Sequence, residues 1–79
     1  MTFDKPFDRI TIDTRMMNGK PCIRGMRITV AQVLALLGTF ESRAEIFANY
    51  PDLEEEDLKQ ALAFASENLA ETEFQVRVA

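Results

Sequence analysis

The stretch Asn18-Gly19-Lys20-Pro21-Cys22-Ile23-Arg24-Gly25-Met26-Arg27-Ile28-Thr29-Val30 decides how this chain folds. It contains two of the three glycines, one of the three prolines, and three cations (Lys20, Arg24 and Arg27) with no acid among them. Asn18-Gly19 is a strong turn signal, because both residues tolerate positive φ. Pro21 and Gly25 exclude a helix between residues 19 and 27. The stretch then ends in a helix start. Thr29 followed by Gln32 makes a capping box, and Ile28 and Val33 take the two positions of a hydrophobic staple. The reading is a rigid basic corner from which helices hang.

Upstream, residues 1–8 read as a loose arm without a period, whose Phe3 and Phe7 are expected to pack back on the body. Arg9-Ile10-Thr11-Ile12-Asp13 alternates and is β-branched, so a short strand with Ile10 and Ile12 facing inward is expected. Arg27-Ile28 is expected to pair back on it as a hairpin or arch.

Downstream, Val30, Val33, Leu34 and Leu37 recur at helical spacing, and Gly38 reads as the stop. Ser42-Arg43-Ala44-Glu45 is a second capping box, opening a helix with Ile46, Phe47 and Tyr50 on one side and Pro51 at its end. A third helix starts within Asp52–Asp57, with Asp52 and Glu54 as rival caps. Its expected buried stripe is Leu58, Ala61, Leu62, Ala65 and Leu69, with Phe64 beside it. Thr72 to Val78 alternates again, placing Phe74, Val76 and Val78 on one face of an extended tail, a candidate C-terminal strand. The fold class is therefore mostly α: a three-helix bundle over residues 29–70, a β element and basic corner over 9–28, and a tail over 71–79, in one domain of residues 1–79.

Seventy-nine residues lie near the lower limit for a self-sufficient domain. A core of this size supplies roughly 3–5 kcal/mol net, so self-association as a homodimer or docking on a partner is expected to help. An apolar fraction of 47% suits a globular chain. One cysteine cannot form an internal disulfide, which fits a reducing, cytoplasmic setting. No basic segment followed by an apolar run opens the chain, and the longest near-apolar run, Val30 to Leu37, is too short to span a membrane. The total charge of −4 hides an asymmetry: residues 1–30 carry a net +3 and residues 31–79 a net −7.

The chain has no histidine, the commonest general base and transition-metal ligand. A lone cysteine without histidine leaves the usual structural zinc sites unfilled. No catalysis, metal or cofactor is expected, and Cys22 reads as a small packed side chain. Gly19-Lys20 lacks the remaining residues of a phosphate-binding loop. The run Glu54-Glu55-Glu56-Asp57 suits a solvated helix start that complements the backbone dipole. Arg15, Lys20, Arg24 and Arg27 form a candidate nucleic-acid patch contacting phosphates, or Arg24 braces the corner through backbone carbonyls; a guanidinium suits either task. The turn at Pro51-Asp52-Leu53 has the length of a helix-turn-helix. In that arrangement the third helix would read DNA with its first residues, yet Glu54 to Asp57 repel phosphate. Glu54, Glu55, Phe74, Val76 and Val78 are the candidate contacts to a protein partner, the first two by charge and the last three by adding a strand to a sheet edge.

Arg9-Ile-Thr-Ile-Asp13, Gly19-Lys-Pro-Cys-Ile-Arg-Gly25, Arg27-Ile-Thr-Val30, Ser42-x-x-Glu-Ile46, Tyr50-Pro51 and Leu58-x-x-Ala-Leu62 together resemble the domain-of-unknown-function 433 family over about residues 9–66. The resemblance implies a homeodomain-like trihelical fold with a β element in front. It also implies a prokaryotic antitoxin, paired with a small PIN-like nuclease toxin and binding its own promoter. Met26 and Glu54 stand where the family often has threonine or, at the second position, threonine or serine. The alternative is a non-catalytic module that only self-associates.

Overall fold

The computed structural model describes residues 1–69. Strand β1 (Ile10–Thr11) is followed by a left-handed turn at Met17–Gly19 (φ +50°, +58° and +75°), strand β2 (Cys22–Ile23), and helices α1 (Val30–Thr39), α2 (Arg43–Asn49) and α3 (Glu55–Leu69). The expected order of a small β element and three helices is what the chain adopts. The expected tail strand lies outside the described residues.

β1 and β2 pair antiparallel, with Ile10 opposite Ile23 and Thr11 opposite Cys22. Single bridges extend this layer on both sides, Thr2 to Thr11 and Cys22 to Thr29. Residues 1–8 are therefore not a loose arm. The Ile12 N–H donates to the Met1 carbonyl at 2.8 Å, and Phe3 and Phe7 each set a ring edge-on to Phe64 of α3, with centroids 5.6 and 5.4 Å apart. The partner of β1 is Cys22–Ile23 rather than the expected Arg27-Ile28. Arg24 (φ +46°) and Gly25 (φ +71°) reverse the chain so tightly that Ile28 comes back onto Ile23 instead, its carbonyl accepting the Ile23 N–H at 2.9 Å. The Met26 N–H donates to the Ile23 carbonyl at 2.8 Å, and two consecutive positive φ values within such a turn are the mark of the primed hairpin type.

α1 starts as its sequence demands. Thr29 accepts from the Gln32 N–H at 3.0 Å, and the Gln32 side chain accepts from the Thr29 N–H at 2.8 Å. Gly38 does not stop the helix. It runs on through Thr39, and the Phe40 N–H still reaches the Leu36 carbonyl. Because φ at Gly38 is not left-handed, the glycine acts as an ordinary if costly helical residue. Ser42 caps α2 by accepting from the Glu45 N–H at 3.2 Å.

The core gathers Ile10 and Ile23 from the hairpin, Val30 and Val33 from α1, Ile46 from α2, Leu53 from the connecting turn, and Leu58 and Ala61 from α3. α1 packs chiefly on α3 and less on α2. The buried face of α3 is Asp57, Leu58, Gln60 and Ala61, so the expected stripe needs correction: Leu62 and Leu69 remain 42% and 55% exposed. Two polar residues take the inward places because the hairpin presents them with charged and backbone partners.

Candidate functional site

Where the hairpin meets the first turn of α3, four charged side chains, Arg9, Arg24, Glu54 and Asp57, close on one another. The turn at Arg24-Gly25 throws the Arg24 side chain towards α3. Its Nε donates to Asp57 Oδ1 at 3.0 Å and its Nη2 to Asp57 Oδ2 at 2.9 Å. The same Nη2 donates to the Asp52 carbonyl at 2.5 Å. Arg9, just before β1, reaches Asp57 Oδ1 at 3.1 Å and Glu54 Oε1 at 2.5 Å through Nη1. The N–H of Glu54, the residue that caps α3, donates to Asp57 Oδ2 at 2.8 Å. This settles the rivalry between Asp52 and Glu54: Glu54 holds the cap position, and Asp57 reaches back to its amide as the third helical residue of a capping box does.

Asp57 is fully buried, and a buried carboxylate is tolerable only with its lone pairs filled. Burial alone pushes its carboxyl up. The hydrogen bonds from Arg24, the Glu54 amide and Arg9 outweigh that and hold it below the usual carboxylate range. Both guanidiniums are correspondingly pushed up, Arg24 by its bond to Asp57, and Arg9 by Glu54 and then Asp57. Gln60 completes the set one turn along. Its Oε1 accepts from the Arg9 N–H at 2.9 Å, and its Nε2 donates to Asp8 at 2.8 Å and Glu56 at 3.3 Å. Among the described residues no buried side-chain nitrogen or oxygen lacks a partner. Both Asp57 oxygens accept two hydrogen bonds each, Oδ1 from Arg24 and Arg9 and Oδ2 from Arg24 and the Glu54 amide. The physical effect of the cluster is to fix α3 to the hairpin.

The remaining sequence candidates fall into distinct settings. Arg15 is exposed and folds back on Asp13 (Nε to Oδ1, 3.2 Å). Lys20 and Arg27 are exposed and, among the described residues, form no ion pair. Arg24 is turned inward onto Asp57 and the Asp52 carbonyl, so the four cations do not form one open patch. Glu54 pairs with Arg9, and Glu55 pairs with Arg43 across the α2–α3 turn. Phe74, Val76 and Val78 lie outside the described residues. Cys22 is buried; its thiol contacts the Lys20 carbonyl at 3.3 Å, and desolvation pushes its pKa up, away from the reactive thiolate.

Sequence reasoning did not single out Arg9, Asp57 or Gln60 as functional positions. The available signal was weak. An arginine opens β1, another sits at a turn glycine, and one acid in a run of four shares the phase of Leu58 and Ala61. Among the described residues no cluster of histidine, cysteine and carboxylate side chains could hold a metal ion, and no helix is long and apolar enough to cross a membrane.

A hairpin clamped by an Arg–Asp–Arg cluster onto a three-helix bundle defines a small α-helical scaffold. The profile of a family described as "protein of unknown function (DUF433)" matches residues 10–65, which takes in the hairpin, Arg24 and Asp57 of the clamp, and all but the end of α3. The chain belongs to that family. Comparison with curated proteins and with solved structures gave no match.

Proposed function

We propose that this chain is a non-catalytic regulatory binding protein, the antitoxin-like member of a prokaryotic toxin–antitoxin pair, and that it neutralises a PIN-like nuclease partner. The antitoxin role comes from the family resemblance. The observation that carries protein binding over DNA reading is the clamping of α3's first turn. Asp57 is fully buried against Arg24 and Arg9, while Glu54, Glu55 and Glu56 are exposed, Glu54 and Glu55 in surface ion pairs with Arg9 and Arg43 and Glu56, among the described residues, without one. A helix start pinned to its own hairpin and lined outward with acids is repelled by a phosphate groove. It is suited to a cation-rich cleft. Exposed Leu62, farther along α3, adds apolar area to the same element.

The test is co-expression with the product of the adjacent reading frame. A nuclease that co-purifies with the chain and is inhibited by it supports the proposal, and a Glu55→Lys, Glu56→Lys variant should weaken inhibition. A chain that purifies alone and leaves that nuclease fully active would refute it.

Promoter binding is the lesser part of this reading. Arg15 and Arg24 are already paired, leaving Lys20 and Arg27 of the four candidates, short of the ~6–10 phosphate contacts of a strongly salt-dependent DNA binder. A self-associating module is the second reading. It is favoured by Leu62 and Leu69, exposed two helical turns apart on α3. Sedimentation of a Leu62→Glu, Leu69→Glu variant checks it: conversion of a dimer to a monomer supports that seam.

A further inference from the structure

Five arginines lie among the described residues, and four of them, Arg9, Arg15, Arg24 and Arg43, are held in ion pairs. Arg27 is not. It stands at a groove of about 340 Å³ alongside α1, lined by Arg27, Ile28, Gln32, Ala35, Leu36 and Tyr50. We propose that this groove docks a segment of a partner protein in which a carboxylate side chain neighbours an apolar one.

Three features argue for that occupant. The lining has a cation and no acid, although the chain as a whole carries −4. The apolar part, Ile28, Ala35 and Leu36, gives a neighbouring aliphatic side chain somewhere to leave water. The polar groups are pre-set donors. Gln32 has its carbonyl oxygen engaged by the Thr29 N–H at 2.8 Å, which leaves its NH₂ group to donate. The Tyr50 ring lies edge-on to Phe40 with centroids 6.5 Å apart, and its phenol is a further donor of the lining. A guanidinium, an amide NH₂ and a phenol around an aliphatic floor match a carboxylate with an apolar neighbour. A nucleic acid would meet one cation and an aliphatic wall, a poor match for a phosphate chain. The site is separate from the acidic face of α3, so it stands or falls independently of the nuclease reading.

The experiment uses the ¹⁵N-labelled full chain and two capped peptides, Gly-Glu-Leu-Glu-Leu-Glu-Gly and Gly-Lys-Leu-Lys-Leu-Lys-Gly, followed by chemical-shift changes. The acidic peptide is expected to shift the Arg27 Nε–H and the amides of Ile28, Leu36 and Tyr50, and the lysine peptide to leave them in place. Arg27→Gln, at an exposed side chain without an ion pair, should keep the fold and weaken binding about tenfold. Ala35→Glu should abolish it by placing a like charge in the groove. The proposal is overturned by equal shifts from both peptides or by shifts centred on α3. It is equally overturned if a short DNA duplex, and not the acidic peptide, moves these residues. Shifts of the same residues on concentrating the chain alone would assign the groove to a second copy and overturn the foreign partner.

Discussion

Arg24 grips Asp57 with two parallel hydrogen bonds, Nε to Oδ1 at 3.0 Å and Nη2 to Oδ2 at 2.9 Å, across thirty-three positions of sequence. The grip comes from a residue in the left-handed region, φ +46°, where a side chain other than glycine costs about 1–2 kcal/mol. The fork offsets that cost, since paired charge-assisted bonds to a buried carboxylate are among the stronger polar contacts. Local strain and long-range clamp are thus one device: the turn aims the arginine, and the carboxylate holds the turn.

Removing the carboxylate should be the most damaging polar change in the molecule. Asp57→Ala leaves two guanidiniums facing a void. Breaking a buried pair from one side costs about 3–5 kcal/mol, and because both guanidiniums keep about a third of their surface in water and Arg9 keeps Glu54, the low end of that range applies, still most of the stability expected of so small a core. Urea titration of the variant should find little or no folded baseline. Arg24→Lys keeps the charge but loses the fork, and should fall between wild type and Asp57→Ala.

Acid should act through the same group. The folded-state carboxyl of Asp57 is depressed, so the unfolded chain takes up its proton first as pH falls. The stabilisation is complete above the ordinary aspartate range, about pH 4, and is lost progressively below it as the folded-state pKa is approached. Thermal melts from pH 7 downward should therefore hold a plateau and then drop below about pH 4. In Asp57→Asn the melting temperature starts lower, and this acid limb should be shallower. An unchanged limb would place the acid sensitivity elsewhere, for example at exposed Asp13, whose carboxyl is likewise lowered, by Arg15.

One substitution should change sign between two glycines. Gly25 has φ +71° and Gly38 sits in α1 without a left-handed φ; at neither does a built Cβ meet an atom within 4 Å. Sterics are therefore removed from the comparison and only backbone preference is left. Gly25→Ala should destabilise by about 1–2 kcal/mol, and Gly38→Ala should stabilise by about 0.5–1 kcal/mol. Denaturant midpoints of the two variants measure both.

The parts of this fold that were legible in the sequence are those decided within four residues. Thr29 with Gln32 and Ser42 with Glu45 announce helix starts because donor and acceptor are sequence neighbours. The clamp was not legible for the converse reason. Asp57 finds Arg24 and Arg9 thirty-three and forty-eight positions away, and nothing local separates it from Glu55 or Glu56. The phase error on α3 has the same root. An apolar count puts Leu62 and Leu69 inside, whereas the polar partners on the hairpin draw Asp57 and Gln60 inward and rotate the helix to suit. The pairing of β1 with Cys22–Ile23 depended on a left-handed arginine, which composition does not foretell. Of the proposed contacts, Arg24 was visible as a residue suited to bracing, but its choice between phosphate and scaffold needed Asp57 in view.

Cys22 offers a direct reading of how tightly the corner is closed. The thiol is 3% exposed and its pKa is pushed up by burial, so both access and thiolate fraction oppose reaction. A disulfide-exchange reagent at neutral pH should label the native chain far more slowly than the chain in denaturant. The labelling rate should rise in Arg24→Lys in step with its loss of stability, because opening of the corner limits access. Fast labelling of the stable wild type would show that β2 separates from β1 without global unfolding.

The N-terminal arm supplies the last test, because aromatic contacts add there to the backbone bonds and to the Met1 ammonium donating to the Ile12 carbonyl at 2.5 Å. Phe3 and Phe7 both meet Phe64 near edge-on, at interplanar angles of 63° and 88°, the geometry in which a ring's positive edge faces the negative face of its neighbour. Two rings share one partner, so Phe64→Ala should cost more than either Phe3→Ala or Phe7→Ala. All three are half-buried, which keeps each cost below that of a core phenylalanine. A double-mutant cycle between Phe7 and Phe64 should return a coupling of about 0.5–1.5 kcal/mol. A coupling near zero would mean that the Phe7–Phe64 edge contact adds nothing beyond the apolar area the two rings bury and the bonds of Met1 and Phe3 to Ile12 and Ile10.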